Sequence, residues 1–119
     1  MRGGPKEIRP YIVENGEIEI GGLTFEYDVL LPTYEPGLSW FAGFPGVRLF
    51  ISSEVPEGLR KPILAHEVMF AQLREEGIDQ PCLKAIDFEL TFVPANDRAA
   101  YLRKRRQYFD DLVDLCRDL

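Results

Sequence analysis

The chain has 119 residues, 45% hydrophobic and 29% charged, which suffices for one compact core and predicts a single domain over residues 1–119. A formal charge of -6 repels phosphate backbones and anionic lipid surfaces, which argues against nucleic acid as the main partner. No apolar run approaches the roughly 20 residues needed to span a bilayer, and the start MRGGPKEIRP lacks the apolar core of a secretion signal, so no membrane partner and a cytoplasmic location are expected.

In chain order, EIEIGGLTFEYDV alternates apolar and polar residues around Gly21-Gly22. Paired glycines tolerate the positive φ angles of a tight turn, so this period of two predicts strands over residues 17–20 and 23–30 joined as a hairpin. Residues 31–46, LPTYEPGLSWFAGFPG, are too punctuated for a regular element and too apolar for an idle linker. VRLFISS, residues 47–53, reads as a third strand.

Pro56 and Pro62 bracket a helix entrance, and a short turn is expected before a main helix over residues 61–76, ended by Gly77 in a left-handed conformation. Pro81 opens PCLKAIDFELTFV, where Leu83, Ile86, Leu90 and Val93 recur at helical spacing. Pro94 ends that helix, and Asn96 or Asp97 caps a last one with Leu102, Phe109, Leu112, Cys116 and Leu119 along one side. The expected class is α+β: a small antiparallel or mixed sheet of about three strands followed by three helices.

The main helix carries the chemistry. Steps of four and three link Leu59, Ile63, His66, Phe70 and Leu73, so the chain's single histidine falls within an apolar stripe. In an HExxH helix, two imidazoles one turn apart reach one zinc ion while the intervening glutamate takes a proton from the bound water. His66 and Glu67 fill the first two places of that pattern, and Phe70, which has no lone pair to offer zinc, fills the last.

The run VRLFISSEVPEGLRKPILAHEVMFAQL resembles the strand, short turn and active helix of small zincin metallopeptidases, including those of phage-repressor-cleaving and stress-response types. KAIDFELTFVP is similar to the segment that supplies a third, acidic zinc ligand in those proteins. The resemblance covers about half the chain and implies a zincin-like arrangement. It gives His66 the role of first ligand, Glu67 that of general base, and Glu89 or Asp87 that of third ligand. The plainer alternative is a core imidazole bonded to a backbone carbonyl, with a solvated Glu67.

Other features have simpler expectations. Cys82 and Cys116 lack CxxC spacing and read as reduced thiols near a core. RKRR, residues 103–106, could bind an acidic partner or phosphate groups, against the stronger alternative that it pairs with the aspartates of its own helix, as Arg106 with Asp110 one turn on. Tyr34, Trp40, Phe41 and Phe44 lie in a loop suited to partner contact, against the alternative that their rings cover the sheet.

Together these features lead to an expected function as a catalytically inactive zincin-like domain that binds another protein or an extended peptide, paired along the strand near residues 47–51. No cofactor is expected in that reading, and homo-oligomerisation is left open. Metal-dependent hydrolysis with zinc held by His66 and Glu89 and Glu67 as catalytic base is the enzyme alternative. An unrelated acidic α+β interaction domain is the third.

Overall fold

The computed structural model describes residues 7–35 and 40–108. Its fold is α+β, with a four-stranded mixed sheet followed by three helices. The hairpin forms as expected: β1 (Ile12–Ile20) pairs antiparallel with β2 (Leu23–Leu30) through Gly21 and Gly22, at φ 62° and 85°. Both angles lie in the left-handed region that a side chain resists, which explains the glycine pair.

The third expected strand is β4 (Arg48–Ser52), and it runs parallel to β2, placing Tyr27 beside Leu49 and Val29 beside Ile51. The punctuated loop before it contributes a further strand, β3 (Ala42–Gly43), which pairs antiparallel with β4 and takes the sheet edge. That corrects one expectation: β4 is interior, between β2 and β3, so the outer edge on this side belongs to Ala42 and Gly43. The other edge, β1, carries exposed Glu14, Glu17 and Glu19 and a register shift near Ile12, devices that discourage edge-to-edge pairing.

Period two then sorts the sheet into faces. Phe25, Tyr27, Val29, Leu49 and Ile51 join the core with Ile63, Leu64, Ala65 and Val68 of α1 (Arg60–Glu75). On the reverse face Arg48 grips Asp28 with two hydrogen bonds, of 2.7 and 3.1 Å, and reaches Glu26 at 2.5 Å. Phe50 meets Tyr34 and Phe41 on the same side.

Helix α1 is buried at five successive positions, Pro62 to His66, which a one-sided helix cannot be. The sheet lies on one side of it and α2 (Pro81–Leu90) on the other. Gly77, at φ 71°, ends α1 as its position predicts. Helix α2 stops at Leu90, three residues before the expected end, and α3 (Arg98–Tyr108) follows a single turn at Ala95–Asp97. The expected stripe residues Phe109, Leu112, Cys116 and Leu119 lie outside the described residues. No helix among the described residues is long and apolar enough to cross a membrane.

The edge strand has little room for side chains. A Cβ at Gly43 would lie 2.6 Å from Cζ of Phe50, so Gly43→Ala must displace that ring. Urea denaturation is expected to register a loss of about 1–3 kcal/mol, the usual range for overpacking.

Candidate functional site

Four side chains from three helices meet in the interior. His66 leaves α1, Glu89 leaves α2, and Tyr101 and Arg105 leave α3 one turn apart; all four are buried. Arg105 grips the carboxylate bidentately, Nε donating to Oε2 at 2.5 Å and Nη2 to Oε1 at 2.8 Å. The Tyr101 hydroxyl donates to the same Oε2. Nδ1 of His66 lies 2.9 Å from Oε1, within hydrogen-bonding distance but without the alignment of a good ring N–H bond.

The electrostatics follow from this packing. Burial lowers the His66 pKa and the Arg105 charge adds to the effect, outweighing the opposing contact with Glu89 and keeping the imidazole neutral. Burial alone would raise Glu89, but the contacts from His66 and Arg105, with the arginine charge, hold it below the usual carboxylate range. Burial disfavours the charged form of Arg105 too, yet its bonds and charge contact with Glu89 leave its pKa raised. The pair is therefore fully ionised in the interior.

The expected metal residues are thus partly brought together. Glu89 reaches His66, whereas Asp87, the other candidate acid, is exposed. Phe70 stands one turn after His66, the rings stacked at 11° with centroids 6.3 Å apart. Among the described residues, no group of three or more His, Cys, Asp or Glu is placed to hold a metal ion.

Glu67 takes a different direction from His66. With Phe70, Ala71 and Arg74 it forms a stripe at three-and-four spacing along α1, lining a cavity of about 230 Å³. Phe44 and Phe50, with Gly43 of β3, line the facing side. Burial pushes the Glu67 carboxyl up to about 7, with the Glu89 charge adding to the rise and the Arg105 charge opposing it.

The aromatic loop is largely committed to the fold. Trp40 and Phe41 are each 4% exposed, so they are corrected from partner-contact residues to interior ones. Tyr34 is half-buried, with its ring against Tyr11, Phe41 and Phe50. Phe44, also half-buried, meets Phe25 edge-on and is the member of the set that reaches the cavity.

The sequence reading missed Arg105 and Tyr101. Arg105 sits three residues after Leu102 and four before Phe109, within the apolar stripe already recognised, and that placement was its signal. Its neighbours Arg103, Lys104 and Arg106 are exposed, and Asp110, the expected partner of Arg106, lies outside the described residues. Cys82 is a further correction: it is disulfide-bonded rather than a reduced thiol, and Cys116, the other cysteine of the sequence, lies outside the described residues. No family model matches the chain, and neither a curated protein nor a solved structure is significantly similar to it.

Two outcomes follow for stability. Arg105→Ala strands an ionised carboxylate in the interior and is expected to cost about 3–5 kcal/mol by urea denaturation, whereas the double change Glu89→Leu with Arg105→Met recovers part of that loss. Glu67 gives a pH signature. Its folded pKa, about 7, lies above the ordinary 4.5, so its contribution is fully present below pH 4.5 and lost as pH rises through 7. Glu67→Gln is therefore expected to gain about 2 kcal/mol on the wild type between pH 5 and pH 8, partial solvent contact at the groove reducing the full effect.

Proposed function

We propose that this chain is a zincin-like domain without hydrolytic chemistry that works by binding an extended segment of another protein. The observation that carries the reading is Arg105 on Glu89. Both carboxylate oxygens accept hydrogen bonds from a guanidinium, and a fixed positive charge lies beside the one histidine. A zinc ion there would have to displace that arginine, and Phe70 offers it no second helical ligand. Arginine supplies donors and charge together, so the buried carboxylate is satisfied from within the protein.

Beside that sealed network lies the cleft of Glu67 and Phe70, next to an edge strand whose two residues carry no charge. Such an edge supports strand addition, with backbone bonds giving affinity and a neighbouring pocket giving selectivity. The charged edge at β1 is suited to solvent instead.

One observation favours the hydrolase reading. A carboxyl titrating near 7 in a cleft has the pKa and access of a general base. Zinc titration calorimetry on wild-type protein purified without a histidine tag decides between the two. The binding-domain reading expects no stoichiometric uptake and identical traces for wild type and His66→Ala. One zinc per chain, abolished by His66→Ala, would overturn it in favour of metal-dependent hydrolysis.

A further inference from the structure

The cleft has a size, a polarity and a direction, and together they specify an occupant. Its volume of about 230 Å³ is below the roughly 300 Å³ at which pockets begin to enclose a whole small molecule. It suits one side chain of a larger partner. Phe44, Phe50 and Phe70 make that space aromatic, and Ala71 leaves it open between them.

The two ends differ in charge. Glu67 and Arg74 are seven residues apart on one helical face, about 10 Å at 1.5 Å per residue. Arg74 is exposed, its guanidinium 5.3 Å above the Phe70 ring, and no carboxylate pairs with it among the described residues. A cation held against an aromatic face at a pocket rim is placed to receive an anion.

Spacing links pocket and charge. Phe70 and Arg74, four residues apart on a helix, are separated by about 6 Å along its axis. Residues i and i+2 of an extended chain share a face at about 6.6 Å. A strand lying along α1 with one side chain among the three phenylalanines therefore brings the side chain two positions away to Arg74. The uncharged edge at Ala42 and Gly43 is adjacent, since Gly43 lines the same cleft.

Resting on the protein-binding reading above, we infer that the cleft recognises an internal, extended segment of a partner protein bearing an apolar side chain and an acidic one two residues apart. The apolar group fills the space beside Phe44 and Phe70, and the carboxylate meets Arg74.

Selection of random heptapeptides, displayed as internal segments, against the full chain tests the inference. The expected enrichment is Leu, Met or Phe two positions from Asp or Glu. A fluorescein-labelled peptide from the selection is expected to bind Arg74→Glu at least about tenfold more weakly by anisotropy, and Ala71→Trp, which fills the cleft, with a similar loss. Thermal melts by circular dichroism establish that each variant folds; Arg74 is exposed, so its charge reversal decides alone where Ala71→Trp does not fold. Enriched peptides that lack the acid, or that bind Arg74→Glu as tightly as wild type, overturn the inference and leave the protein-binding reading standing. Selection that enriches no sequence overturns both.

Discussion

The carboxylate of Glu89 is the point on which the helical half of the molecule depends. It is completely buried and ionised, and every group that makes this tolerable comes from another helix: His66 from α1, and Tyr101 and Arg105 from α3. A buried ion pair gains little net stability over apolar packing of equal volume. Its effect is to penalise wrong arrangements, because any docking of α3 that misses Glu89 leaves two charges in a medium that cannot solvate them. Within the described residues Tyr101 and Leu102 also pack α3 against the hydrophobic core, while Arg103, Lys104 and Arg106 are exposed.

The same network separates the two faces of α1. His66 is committed to the interior by its contact with Glu89, which turns the 67, 70, 71 and 74 stripe toward the end of β3. Phe70 belongs to both sides, stacking on His66 while lining the cleft. Glu67 is held near the ionised pair without joining it, and its raised pKa is largely the consequence of burial beside a network already neutralised internally. The cleft thus inherits its shape and polarity from the core behind it.

What the sequence revealed depended on whether a feature was local. The hairpin was legible because alternation and a Gly-Gly pair are sufficient causes of it, and α1 because a stripe and a terminal glycine bound it. Strand β3 was hidden because two residues amid prolines and glycines have no period to detect, and their pairing is decided by β4. The meeting of His66 with Glu89 was expected from a resemblance and not from spacing. The cation beside them was missed because four consecutive bases suggest solvent, although their helical phases differ and only Arg105 falls on the apolar side. Trp40 and Phe41 looked available for contact because a punctuated loop suggests exposure, whereas a sheet this small needs its aromatics for cover.

Phe70 and Arg105 are two parts of one arrangement around His66. A metal ion attracts lone pairs, so a site built for one needs several donors of electron density converging on a point. A guanidinium does the reverse: it brings its own hydrogens and needs acceptors, and the two oxygens of Glu89 accept two of its bonds. A second imidazole at position 70 would then have no electrostatic task beside a fixed positive charge. An apolar ring there instead stacks on neutral His66 and lines the cleft. The resulting division puts the ionised groups inside and an aromatic wall at the cleft.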